Sequence, residues 1–198
     1  IEHIFDILRK FGIRDVALAI GYLGDQIRRH VGDGSKYGLS ITYIEEPKRL
    51  GTAGPLRLAA HLLNEPFLVI AGDTLAQINL YDFMEFHRSH RGWATMALVP
   101  AEPEEPYGVV HVQGNRIRAF EKHPTSKTNA LLTNAGYYVL DPKVLRTIPR
   151  GYSLLEQDVF PKLAKEGKLY GYFFDGLWFH LGTPADYHRM IKHWKPIE

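Results

Sequence analysis

Phe67-Leu68-Val69-Ile70-Ala71-Gly72-Asp73-Thr74-Leu75 is the stretch on which the reading of the fold turns. Four apolar residues in succession, with Pro66 before them and Gly72 after, read as a strand buried on both faces. That is the texture of a central strand in a parallel sheet. Where the strand should end stand a residue without a side chain, Gly72, and a carboxylate, Asp73. In open α/β sheets ligands bind outside the carboxyl ends of the strands, so Asp73 is placed to meet a ligand or its metal ion. Gly-Asp is also ordinary turn chemistry, and these two residues alone do not separate a site from a turn.

Upstream of this strand, helix and strand signals alternate. Ile1, Ile4, Phe5, Leu8 and Phe11 recur at helical spacing, with Gly12 as a stop. Asp15–Ile20 reads as a buried strand, Ile27 and Val31 mark a short helix closed by Gly32-Asp33-Gly34, and Ile41–Ile44 reads as a strand. Gly51-Thr52-Ala53-Gly54-Pro55 then leads into an apolar helix from Leu56 to Leu63. Downstream comes a helix carrying Leu80, Phe83, Met84 and Phe86. After Trp93 the texture turns to strands at Ala94–Val99, Tyr107–Val112, Arg116–Phe120 and Leu132–Leu140, with Gln113-Gly114-Asn115 as a hairpin turn. A helix over Leu154–Lys165, a strand over Leu169–Phe174 and a last helix after Pro184 complete the chain.

This alternation predicts an α/β, Rossmann-like three-layer fold around a mixed, mainly parallel central sheet. One domain is expected over residues 1–198, in two halves at 1–92 and 93–198. The pattern opens on a helix rather than a strand, so an N-terminal strand and its turn are expected to precede Ile1.

Composition narrows the class. The 198 residues suffice for a core without staples, and the chain has no cysteine, which removes disulfides and thiolate chemistry. A net charge of +2 gives no ground for nucleic acid or an anionic membrane as partner. No apolar run is long enough to span a bilayer, and the expected location is the cytoplasm. Whether the chain forms a homo-oligomer stays open.

Several clusters suit chemistry. The glycines of Gly51-Thr52-Ala53-Gly54 let a backbone approach a ligand, and a helix N-terminus offers free amides; the plain alternative is a tight turn with Thr52 as N-cap. Glu121-Lys122 ends a strand, where an ammonium suits a phosphate monoester and a carboxylate accepts from hydroxyls. Asn134-Ala135-Gly136 reads as a bulge or as a floor that leaves room for a sugar, and Tyr107-Gly108-Val109-Val110 is equally ambiguous. Thr183-Pro184 caps the last helix, and His180 precedes it at a strand end where it could meet Asp73. His87 and His90, one turn apart, fit a metal pair or, more simply, an exposed helix face. No zinc spacing or nucleophile–histidine–acid grouping is present.

Taken in order, Gly51–Leu56, Gly72-Asp73, Tyr107–Val110, Glu121-Lys122, Asn134–Val139, Leu155–Pro161 and Gly182–Tyr187 resemble the sugar-1-phosphate nucleotidyltransferases from end to end. The resemblance is strongest to mannose-1-phosphate guanylyltransferases, with glucose-1-phosphate thymidylyltransferases close behind. It implies attack of a sugar 1-phosphate on the α-phosphorus of a nucleoside triphosphate, giving a nucleotide sugar and pyrophosphate. By the same resemblance Gly51, Thr52, Ala53, Gly54, Gly72 and Asp73 would bind the nucleotide. Gly108, Glu121, Asn134 and Gly136 would line the sugar, and Lys122 would hold its phosphate, so that Asp73 and Lys122 carry the chemistry. Asp73 and His180 would hold Mg²⁺. His180 stands where the family has an acid, and imidazole suits Mn²⁺ or Co²⁺ better than Mg²⁺. The family's opening glycine-rich segment, which grips the triphosphate, does not occur in this sequence. Two readings follow: an enzyme seen without that grip, or a non-catalytic sensor or regulatory subunit that binds a nucleotide sugar.

Overall fold

Alternating side chains along two long strands set the layers. The computed structural model describes residues 1–101, 108–121 and 131–195. Its elements in order are α1 (Glu2–Lys10), β1 (Asp15–Ile20), α2 (Gly24–Val31), β2 (Ser40–Glu45), α3 (Gly54–Leu58), β3 (Phe67–Ile70), β4 (Thr74–Ala76) and α4 (Leu80–His90). There follow β5 (Ala94–Pro100), β6 (Val109–Gln113), β7 (Arg116–Glu121), β8 (Leu132–Leu140), a π-helical turn (Leu155–Val159), α5 (Phe160–Lys165), β9 (Leu169–Phe173), β10 (Trp178–His180) and α6 (Pro184–His193).

Strand residues alternate in facing, so one strand can serve two cores. On β5, Ala97 and Val99 join Ala135, Tyr137 and Val139 of β8 in a core closed by Ile4, Phe5 and Leu8 of α1, Phe83 of α4 and Met190 of α6. Met96 and Leu98 turn the other way, with Tyr138 and Leu140, onto Phe160, Leu163 and Ala164 of α5 and Ala53 before α3. Helices thus cover both faces of the sheet, which is the expected three-layer α/β arrangement.

The sheet is mixed, as expected, but parallel pairing does not dominate it. Six strands run in the order β3-β8-β5-β9-β7-β6, and β6 also pairs with β8, so β8, β5, β9, β7 and β6 close a circuit. Among these only β5–β9 is parallel. The other parallel pair is β1–β2, a separate two-stranded unit with Asp15 opposite Ser40 and Ile20 opposite Glu45. Short connections force antiparallel neighbours, and the two-residue turn at Gly114-Asn115 between β6 and β7 is one such connection.

The deciding stretch also sits differently from its reading. Within the described residues β3 lies at the edge of the six-stranded sheet, paired with β8 alone, and all four of its residues are half-buried. With a neighbour on one side only, the layers cover it incompletely. The central positions belong to β8 and β5, where the run Ala94–Val99 is buried throughout. His87 corrects another expectation. It is 3% exposed and its Nδ1 lies 2.8 Å from Thr95 Oγ1 on β5, so this part of α4 faces the core rather than solvent. His90 stacks on Phe86 instead, and no group of three or more metal-binding side chains occurs among the described residues.

Candidate functional site

The Gly51–Gly54 turn is held by the far end of the chain. Gly51 has φ +80°, and a Cβ there would collide with the carbonyl oxygen of Ser153. Only glycine meets both demands. Ala53 N donates to Ser153 O at 3.0 Å and Ser153 N to Leu50 O at 2.9 Å, a backbone clasp across a hundred residues. Thr52 is not the N-cap that the sequence suggested. Ala53 occupies that position and no side chain caps α3. The Thr52 hydroxyl accepts from Leu155 N at 2.8 Å and donates to Glu156 Oε2 at 2.9 Å. An N-cap hydroxyl would have had to turn toward α3; the pull of the Leu155 amide and the Glu156 carboxylate wins.

Glu156 carries the contact onward. Its Oε1 accepts from Tyr138 OH at 3.3 Å, Asn134 Nδ2 donates to Tyr138 OH at 2.7 Å, and Gly136 N donates to Asn134 Oδ1 at 2.9 Å. Burial first, then the negative charge of Glu156, push the Tyr138 phenol well above its usual range. It therefore keeps its proton and remains a donor. Asn134-Ala135-Gly136 is a bulge: the β5–β8 register shifts between Met96 and Leu98, and Leu98 lies opposite Asn134. Gly136, at φ +76°, packs so closely that a Cβ would come within 3.0 Å of Thr74 Oγ1.

That contact brings in Asp73. It sits in the turn between β3 and β4, exposed, with its Oδ1 3.4 Å from Thr74 Oγ1. Ala71 N donates to Gly136 O at 2.9 Å, which pins the start of the turn to the bulge. Gly72 is exposed and has open space where a side chain would be. From the other side Leu181 N donates to Asp73 O at 2.7 Å, and His180 lies directly opposite Thr74 in the β10–β4 pair. The structure thus puts His180 beside Asp73. The His180 ring lies over Gly182, where a Cβ would meet Nε2 at 2.9 Å. Asp73 is a fitting donor for Mg²⁺, which takes one or two protein carboxylates together with substrate phosphates. An imidazole turned toward Gly182 is a poorer fit to that hard cation.

At the neighbouring end of the sheet Val109 pairs with both Glu121 and Thr133, which sets Gly108, Glu121 and Asn134 on adjacent strands. Thr133 Oγ1 donates to Gly108 O at 3.0 Å, and Glu121 Oε2 lies 2.9 Å from His111 Nε2. Lys122 and Tyr107 lie outside the described residues. A cavity of about 430 Å³ opens at the carboxyl ends of β1 and β2, lined by Gly21, Arg29, Glu45 and Glu46 among others. Glu46 Oε2 accepts from Leu50 N at 2.8 Å, so the cavity adjoins the Gly51 turn.

Sequence reading missed Glu156 and Tyr138 as parts of this site. The signal available for Glu156 was the polar run Glu156-Gln157-Asp158 between apolar pairs, Leu154-Leu155 and Val159-Phe160, directly before Pro161.

Comparison with known proteins places the chain in a family. The Nucleotidyl transferase family matches residues 1–195, and the chain belongs to that family. The catalytic subunit beta of mannose-1-phosphate guanylyltransferase from Danio rerio is 34% identical over 191 residues, covering 93% of this chain and 53% of that protein. A probable mannose-1-phosphate guanylyltransferase 2 from Oryza sativa is 35% identical over 195 residues, covering 94% and 54%. The chain therefore spans about half the length of the curated relatives it matches. HddC from Yersinia pseudotuberculosis superposes with a TM-score of 0.85 at 20% identity, over 98% of this chain and 84% of that one. Its complex with GMP-PN gives 0.81 at 22% identity, over 95% and 82%. These two structures speak for the fold.

Proposed function

We propose that this site transfers a nucleoside monophosphate from a nucleoside triphosphate to a sugar 1-phosphate, with GTP and mannose 1-phosphate as the pair. A phosphate oxygen of the sugar 1-phosphate forms the new bond to the α-phosphorus, the bond from that phosphorus to the bridging oxygen breaks, and pyrophosphate leaves. The observation that carries this reading is the linkage of three segments: the Asp73 turn bonds the Asn134–Gly136 bulge directly, and the Gly51–Gly54 turn reaches that bulge through Glu156 and Tyr138. The guanylyltransferase relatives supply the choice of base and sugar.

In this reading residues 1–92 form the nucleotide half and 93–198 the sugar half. The Gly51–Gly54 backbone lies along base and ribose, with the cavity beside Glu46 at the base end. Gly72 leaves room for phosphates next to Asp73. Gly108, Glu121, Asn134 and Gly136 line the sugar, and Lys122 holds its phosphate. Mg²⁺ on Asp73 would neutralise charge at the phosphates. Phosphoryl and nucleotidyl transfer need positioning and charge neutralisation more than covalent help from the protein, and these residues offer that. His180 leaves Mg²⁺ with one protein carboxylate here, so Mn²⁺ or Co²⁺ should support the reaction better than it does in a site with two.

The alternative is a nucleotide-sugar-binding subunit without turnover, favoured by the imidazole of His180 in place of an acid. Pyrophosphate release from GTP, followed with mannose 1-phosphate and each metal, separates the two. Release that requires both substrates supports the enzyme; tight binding of GDP-mannose without release supports the sensor. Finding neither pyrophosphate release nor binding of GDP-mannose would overturn both readings.

A further inference from the structure

We propose that Glu156 is a positioning residue that fixes the direction of a hydrogen-bond relay running from the nucleotide turn to the sugar floor, and thereby sets which way Asn134 faces. The inference rests on the nucleotide-sugar reading above.

The relay is Thr52, Glu156, Tyr138, Asn134, Gly136, and its direction follows from counting donors. Leu155 N already donates to the Thr52 hydroxyl, so that hydroxyl spends its own proton on Glu156 Oε2. Tyr138 keeps its proton because of its burial and the adjacent carboxylate, and donates it to Oε1. Its oxygen is then left as an acceptor, and Asn134 Nδ2 fills it. With Nδ2 pointed at Tyr138, Asn134 Oδ1 faces Gly136 N and accepts from it. Each step depends on the previous one, and the first requires a group that only accepts. An ionised carboxylate is that group.

Two further features single out Glu156. It rides on a single π-helical turn, Leu155–Val159, just before α5; such turns are frequent at functional sites. Three residues before it, Ser153 Oγ is buried without a hydrogen-bond partner among the described residues, while the Ser153 backbone is clasped to the Gly51 turn. One carboxylate thus links the Thr52 side chain of the nucleotide turn to the side chain that meets the sugar.

Glu156→Gln keeps the shape and inserts two donors. If the amide oxygen serves Thr52, the NH₂ faces Tyr138, whose hydroxyl must then donate to Asn134. Asn134 has to flip, and its NH₂ meets Gly136 N with no acceptor between them. The test is isothermal titration of GDP and of GDP-mannose. In the unaltered chain the mannose should raise affinity over GDP. In Glu156→Gln the ratio of the two affinities should fall about tenfold, the effect of one hydrogen bond to a sugar hydroxyl lost or misdirected, while GDP itself changes by less than about threefold. Tyr138→Phe cuts the relay in the middle and should lower the same ratio, and adding Glu156→Gln to it should lower the ratio no further. Tyr138→Phe also serves if Glu156→Gln does not fold. Equal weakening of GDP and GDP-mannose in Glu156→Gln would make Glu156 a mere support of the Gly51 turn and overturn the relay. An unchanged ratio in either variant would overturn it too. If the unaltered chain binds neither ligand, the nucleotide-sugar reading falls and the relay with it.

Discussion

Gly136→Ala tests the geometry that joins the bulge to the Asp73 turn. Gly136 has φ +76°, and holding an alanine in that left-handed conformation costs about 1–2 kcal/mol. The new Cβ would stand 3.0 Å from Thr74 Oγ1, 3.2 Å from Ala71 Cβ and 3.4 Å from Thr74 Cβ. These are side-chain atoms one or two bonds from the backbone of the turn that carries Asp73, so the two Cβ atoms can yield only if the turn shifts with them. A chain of this size loses roughly 2–4 °C of Tm per kcal/mol, and the variant should therefore melt about 2–8 °C lower. Gly72→Ala is the matched control. It directly follows Ala71, whose N donates to Gly136 O, and has open space where a Cβ would stand and no positive φ, so it should stay within about 0.5 kcal/mol of the parent. Thermal melts followed by circular dichroism read both. Equal melting temperatures for the two variants would refute the close packing of bulge on turn.

Two other perturbations probe the scaffold. His87 is buried and its pKa is lowered, chiefly by desolvation, with Arg88 adding to this and Asp141 opposing it. The unfolded chain therefore binds the proton first as pH falls, so this residue should cost stability from about pH 6.5 downward until the folded ring also protonates. His87→Gln should flatten the fall in Tm between pH 7 and pH 5; an unchanged slope would mean that the ring is not held neutral. Thr183→Ala removes a capping box in which Asp186 N donates to Thr183 Oγ1 at 3.2 Å and Thr183 N to Asp186 Oδ2 at 3.0 Å. It should cost about 1 kcal/mol, with faster amide exchange confined to the first turn of α6; protection unchanged at Asp186 and Tyr187 would count against the cap.

Features governed by neighbours in sequence were legible, and those governed by distant partners were not. Asp15–Ile20 is a strand over the residues its composition suggested, although only Ile20 is buried and the rest alternate between exposed and half-buried, because β1 pairs with β2 in a separate two-stranded unit; the Gly114-Asn115 turn joins its hairpin, and Thr183 caps α6. Each depends on contacts within a few residues. Thr52 looked like a cap by the same local rule, yet its hydroxyl serves an amide and a carboxylate more than a hundred residues on. His87 and His90 share a helix, and spacing alone could not tell that Thr95 would draw one inward. The four apolar residues of β3 had the composition of a central strand, but composition cannot say which strand sits alongside, and here β8 is its one partner among the described residues. Of the candidate site, Gly51, Asp73, Gly108, Asn134 and Gly136 could be picked out because small and polar residues interrupt apolar runs. Tyr138 lacked that contrast, Glu156 had it but sits far along the chain, and only the fold reveals that they connect the others.

The most direct test of the account is to follow the backbone amides of the isotope-labelled chain while GDP-mannose is added. The largest shifts are predicted at Gly51–Gly54, at Gly72-Asp73 and at Asn134–Gly136, with Gly108 and Glu121 moving as the sugar settles. Shifts confined to other surfaces, or none at saturating ligand, would contradict the claim that these segments form one nucleotide-sugar site.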